Sequence, residues 1–147
     1  MEQLIIDPAA RLAMCGAAVF FMTGLITGVW KYYGIRTSPK AEAPYYTNIA
    51  HRAALLYSFS AILLAIFASL SALPDWLNLS SVAVLLFFFS SAILRYIQLG
   101  IKNETENQHL NPSNPTGELV FLSLLILGEV GGFLVLVIGF VMRLLQN

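Results

Sequence analysis

Four apolar stretches, each long enough to cross a bilayer, constrain this chain more than anything else in it. They run over residues 10–33, 50–73, 77–101 and 118–144, and each supplies the ~20 residues that a transmembrane helix needs. Inside hydrocarbon every backbone N–H and C=O must be paired within its own segment, so runs of this length resolve as helices. Hydrophobic residues make up 58% of the 147 and charged residues 11%. A water-soluble fold of this size has no interior large enough to hide that much apolar surface. The chain is therefore expected to be one all-α domain over 1–147, an integral membrane four-helix bundle.

Charge position says more than charge total, which is zero. The side that holds loops 34–49 and 102–117 carries Lys31, Arg36, Lys40, Arg52 and Lys102, against Arg11 and Arg143 on the other. The positive-inside bias puts those loops in the cytoplasm and both termini outside, with a bacterial inner membrane as the expected setting. No basic patch suggests nucleic acid. A single cysteine, Cys15, excludes an internal disulfide and any cysteine-based zinc or iron–sulfur site within one chain. The start of the chain is acidic rather than basic, so the first apolar run reads as a retained span and not as a cleavable signal.

Several local signals bear on packing. Gly24-Leu25-Ile26-Thr27-Gly28 is a small-xxx-small stretch that permits close helix contact, and Gly128, Gly132 and Gly139 share roughly one face of span four. Trp30, Tyr32, Tyr33, Tyr45, Tyr46 and Trp76 read as interfacial anchors. Pro44 is expected to stop the chain just before span two. Ala72-Leu73-Pro74-Asp75-Trp76 reads as a tight hairpin with Asp75 as the next N-cap. The loop over 103–115 is polar and rich in turn signals, suited to cover a site, and Thr116 or Gly117 with Glu118 is expected to open span four.

Three ionisable residues lie in or at the edge of hydrocarbon: His51, Arg95 and Glu129. Arg52 and Glu118 mark the nearby interface. Arg95 stands about 10 Å of helix from Lys102, and Glu129 about 16 Å past Glu118, near the midplane. A lone charge at such depth costs several kcal/mol, so the expectation is an Arg95–Glu129 ion pair or shared polar cavity, with Arg95 snorkelling, or a protonated Glu129 bonded to a neighbouring helix. The alternative is a polar pocket that opens toward loops one and three. His51 follows a polar, aromatic segment as span two begins, and its neutral imidazole suits either a plain interfacial role or a metal or haem ligand. Ala54, Leu55, Ser58 and Ile62 are candidates for a flat apolar slot beneath the ring. His109 is read as a bystander in a mobile loop. The serines of span two read as packing groups, with no nucleophilic triad and no carboxylates at metal-ligand spacing.

Ala50-His51 with Leu56, Leu73-Pro74 at the end of span two, Tyr96 near the end of span three and the Asn/Pro/Gly-rich loop leading to Glu118 together resemble the styrene oxide isomerase and hydroxylaminobenzene mutase family. The Gly-rich first span fits the same pattern, so the resemblance runs over nearly the whole chain. It departs where the family has Asn-Gly and this chain has Tyr57-Ser58. It departs again where the isomerases carry a mid-span aspartate and this chain has Phe87, Phe88 and Phe89. The mutase branch's glutamate soon after the histidine is also missing.

The resemblance implies haem b held between subunits of a homo-oligomer, a trimer in the family, with His51 as the iron ligand. In the enzyme reading built on it, Arg52 and Arg95 would serve the cofactor, although Arg95 beside Tyr96 is not part of the family's pattern, and Tyr57 or Tyr96 would orient the substrate oxygen. The implied activity is a non-redox isomerisation of a small apolar substrate, with ferric haem as Lewis acid. A second reading is a non-enzymatic accessory subunit of a larger membrane complex, which the small-residue faces would serve equally well. A third, a proton-coupled transporter using Glu129, is disfavoured because four short spans leave little room for alternating access.

Overall fold

The computed structural model describes residues 7–110, 112 and 114–146. Residues 1–6, 111, 113 and 147 lie outside the described residues, and with them the two chain ends whose side of the membrane the charge pattern predicts. The fold is all-helical, with no strand among the described residues. Its helices are α1 (Pro8–Thr37), α2 (Tyr45–Ser69), α3 (Asp75–Lys102) and α4 (Pro115–Leu145). Each is long and apolar enough to span a bilayer. This is the four-helix membrane bundle that the apolar runs predict.

The helices begin and end where caps, not hydropathy, dictate. α1 opens at Pro8, whose missing N–H is an orphan at that position anyway, and Asp7 Oδ1 accepts from the Ala10 N–H at 2.9 Å. α2 starts directly after Pro44, as the proline predicts, but its start at Tyr45 precedes the expected residue 50 and its end at Ser69 precedes 73. Pro74 takes the extended cap conformation itself, so Asp75 is the first helical residue rather than the expected N-cap. As an acid in the first turn it still complements the helix dipole. α4 opens at Pro115, with Asn114 Oδ1 accepting from the Gly117 N–H at 2.9 Å. The Asn-Pro pair therefore displaces the expected start at Thr116 or Gly117.

α2 and α3 form the centre of the bundle, each packed on all three other helices, while α1 and α4 flank them without touching one another. Alanines make this possible: Ala10, Ala13 and Ala17 of α1 and Ala54, Ala61 and Ala65 of α2 are buried and let the backbones approach. Both glycine faces are used as expected. A Cβ on Gly24 would lie 2.6 Å from the Leu55 side chain, and one on Gly128 2.3 Å from the Phe88 ring. The α2–α3 turn is tied to α4 by the Ala72 N–H, which donates to Gly139 O at 2.9 Å. Most of α4 faces outward: Leu136 and Gly139 are its buried residues.

The aromatic belt is only partly a belt. Tyr32, Tyr33, Tyr45 and Trp76 are exposed, and Trp30 is half-buried against Gly100. Tyr46 is 6% exposed and belongs to the interior. Its ring lies one position from Tyr45 on a helix, so the two point to different faces.

Candidate functional site

Because α2 starts at Tyr45, His51 sits in the second turn of the helix rather than at its mouth. The ring lies against α1, with Nδ1 2.8 Å from the Gly24 carbonyl oxygen. A carbonyl can only accept, so Nδ1 carries the hydrogen, and in the neutral ring the lone pair is then on Nε2. A Cβ on Gly28 would come within 2.9 Å of His51 Cε1. The first glycine of the small-xxx-small stretch thus supplies the acceptor, and the second supplies the floor. One turn earlier, Thr47 Oγ1 and Asn48 Oδ1 are buried without a hydrogen-bond partner. Arg52, beside His51, is exposed.

The apolar slot expected beneath the ring is not formed by the residues proposed for it. Ala54 is fully buried in the core, Leu55 packs on Gly24, and the Ser58 hydroxyl donates to Leu55 O at 2.6 Å. Helix geometry explains the correction: these positions turn into the bundle, and Ile62 alone of the four is exposed.

A second group gathers elsewhere. Tyr57, Arg95 and Tyr96 line a cavity of about 820 Å³ between α3 and α4 with Glu118 and Phe121 of α4, and the third loop covers it through Gln108 and His109. Arg95 Nη1 donates to Gln98 Oε1 at 2.8 Å. Tyr57 stacks on Phe89 with centroids 4.2 Å apart, and Tyr96 stacks on Tyr46 at 6.0 Å. The Tyr46 hydroxyl accepts from the Gln108 N–H at 2.8 Å, which pins the loop over the cavity.

His109 is no bystander: its Nδ1 pairs with the Glu118 carboxylate in the first turn of α4, and the Gln108 side-chain amide reaches its Nε2 at 3.2 Å. The sequence signals for these two latches were slight, a tyrosine among five others and an acid opening a helix. Replacing Tyr46 by Phe is expected to leave the helices intact and free the loop, read as faster amide exchange over 104–110. Unchanged exchange there would show that the hydroxyl does not hold it.

The Arg95–Glu129 ion pair is not formed: His109–Glu118 is the ion pair found among the described residues. Arg95 extends toward the polar end of α3, where Gln98 waits one turn on, as long cations in membrane helices do. Glu129 instead lines a separate cavity of about 570 Å³ with Phe89 and Phe133. Tyr57 and Tyr96 lie within electrostatic range of it.

The candidate residues therefore fall into two places. Six residues along α2 turn the helix by about 600°, which carries Tyr57 to a different face from His51. The structure brings Tyr57, Arg95 and Tyr96 together and leaves His51 against α1, with Arg52 exposed. No protein-family model, curated protein or solved structure matches this chain.

Proposed function

We propose that this chain is an integral membrane protein that holds haem b on His51 and serves a non-redox isomerisation of a small apolar substrate drawn from lipid. The observation that carries the reading is the state of the imidazole. Iron-ligating histidines characteristically donate their second ring nitrogen to a carbonyl or carboxylate, which sets tautomer and orientation and raises ligand basicity. Gly24 O does this for His51, and the Gly28 floor removes the Cβ that would tilt the ring. A porphyrin brings four nitrogens of its own, so one histidine suffices. If bound, ferric haem would be held by His51 and would supply Lewis-acid chemistry.

Arg52 stands beside the ligand and at the interface, where a propionate would seek a cation. Neither main cavity is lined by His51, so the reading places the cofactor on the outer α1–α2 face, covered by another copy of the chain. The family resemblance, with its trimer, agrees. Tyr57, Arg95 and Tyr96 enter this chemistry only through such a neighbouring copy. The test is an absorption spectrum of protein purified from haem-replete cells: a Soret band with about one haem per chain is expected, and a colourless preparation would overturn the reading.

A colourless protein would favour the accessory-subunit reading, for which the specific observation is α4. Its outward face is apolar over nearly its whole length, with Leu119, Leu127, Val130 and Leu145 all more than half exposed. That face suits lipid and a partner helix equally.

The same reading carries an orientation. Lys31, Arg36, Lys40, Arg52 and Lys102 face the cytoplasm, and both termini face the opposite side. Alkaline phosphatase fused to either end should be active and green fluorescent protein dark. The reverse pattern at both ends would turn the bundle over.

A further inference from the structure

We propose that the cavity beneath the third loop binds single-tailed amphiphilic carboxylates, the head on Arg95 and the tail along α4. The inference is independent of haem, whose place above is the outer α1–α2 face. It starts from which polar groups of the cavity are already committed. Glu118 is paired with His109, and the Gln108 side-chain amide reaches His109 Nε2 at 3.2 Å. Asn114 Oδ1 caps α4, and the Ser91 hydroxyl donates to Phe87 O at 2.8 Å. These groups are spent on holding the loop and the helices in place.

Three side chains stand out as uncommitted. Arg95 is the one charged group lining the cavity that has no oppositely charged partner among the described residues. The neutral Gln98 side chain takes one of its N–H donors and leaves the rest of the guanidinium free. Tyr57 and Tyr96 are held by ring stacking, and neither hydroxyl has a hydrogen-bond partner among the described residues. Both hydroxyls keep open surface, unlike the sealed oxygens of Thr47 and Asn48. The two tyrosines lie within electrostatic range of each other. Tyr57 leans toward the loop end, because helical side chains tilt toward their own N-terminus.

What is left over selects the head group. A guanidinium with spare donors and two phenol hydroxyls together suit one negatively charged group rich in acceptors. A carboxylate matches the guanidinium fork and keeps a lone pair for a hydroxyl. An ammonium would meet Arg95 as a like charge, and an alcohol would leave that charge uncompensated at membrane depth. Glu129 lines the neighbouring cavity and not this one. Away from the loop the wall turns apolar: Phe121, Leu122 and Leu125 follow along successive turns of α4 toward the midplane, with Ala92 of α3 also lining it. The volume, about 820 Å³, is in the range of drug-sized ligands. Phe121 and Leu122 are 46% and 44% exposed, so a tail enters from lipid beneath the loop.

The test uses the full chain in phosphatidylcholine nanodiscs and equilibrium dialysis of radiolabelled dodecanoate, counted above empty nanodiscs. Dodecanol is the uncharged match. Saturable binding of about one dodecanoate per chain is expected, and the alcohol should show only unsaturated partitioning. Arg95→Gln should weaken binding by about tenfold or more, because a charged hydrogen bond is lost. Tyr57→Phe removes one hydroxyl, keeps the ring stacked on Phe89, and should weaken it by about fivefold. Arg95 is exposed and Phe keeps the shape of Tyr, so both variants should fold. Equal dodecanoate binding by native and Arg95→Gln protein, or equal saturable binding of dodecanol, overturns the proposal. An effect of Arg95→Gln with none of Tyr57→Phe also overturns it, since the anion then sits at the interface and not in the cavity. So does loss of dodecanoate binding when phosphatidylglycerol is added to the nanodisc, because a bulk lipid phosphate then occupies Arg95.

Discussion

His51→Ala is expected to abolish the Soret band of haem-loaded protein while leaving the bundle folded. Ligation runs through one atom, Nε2, and the one other histidine, His109, is held by Glu118. Folding is spread over four helices and an alanine-rich core. The variant loses the bond to Gly24 O, a cost of about 1 kcal/mol, too little to unfold such a bundle. Three companion variants sharpen the result. Gly28→Ala adds a Cβ 2.9 Å from His51 Cε1, so haem should be retained but held more weakly, with a shifted Soret maximum. His109→Ala removes the loop latch to Glu118, which makes no contact with His51, and should leave the spectrum unchanged. Arg52→Gln should ease haem loss without changing the band. Imidazole added to His51→Ala should restore part of the absorbance, because the space vacated has the shape of the ring. An unchanged spectrum in His51→Ala would show that the iron is held elsewhere.

The sequence was most informative where one physical rule acts alone. Hydrocarbon admits only internally bonded backbone, so four apolar runs meant four helices, and small residues at four-residue spacing meant close contacts at Gly24 and Gly28. Cap positions were read less well, because Pro74 and Pro115 act through backbone conformation and Asn114 through a side-chain cap, none of which hydropathy registers. The candidate site was legible as a set of residues but not as a place. His51 and Tyr57 both stand out in α2, yet their separation along the helix sends them to different faces, and that follows only once the partners of each face are known. The Arg95–Glu129 pair was a fair inference from desolvation alone. It failed because Arg95 has a nearer polar partner in Gln98 toward the interface. Tyr46 and His109 were misread for a common reason: each gains its role from a long-range contact, Gln108 N–H for one and the α4 carboxylate for the other, and nothing in the local sequence reports it.

Gly139→Ala should be the most destabilising single-methyl change in the chain. Its new Cβ would lie 1.9 Å from Ser71 Oγ and 3.0 Å from the Leu73 side chain. Neither neighbour can yield freely. Ser71 Oγ accepts from the Leu73 N–H at 3.1 Å, and the Ala72 N–H is tied to Gly139 O at 2.9 Å. Relief must come from moving α4 away from the α2–α3 turn, which breaks that bond and exposes Leu136, the one large α4 side chain with no exposure. Overpacking of this kind costs about 1–3 kcal/mol, with the lost backbone bond adding to it. Gly131→Ala is the matched control, since nothing lies within 4 Å of its added methyl. Its effect should be neutral or slightly stabilising, because alanine is the better helix former by about 1 kcal/mol. Both can be read as melting temperatures in one detergent, by loss of helical circular dichroism. Ser71→Ala combined with Gly139→Ala should recover part of the loss, because the closest clashing atom is gone while the cap it made at Leu73 is also lost. Equal melting of Gly139→Ala and Gly131→Ala would show that α4 is not seated on the turn through Gly139 at all.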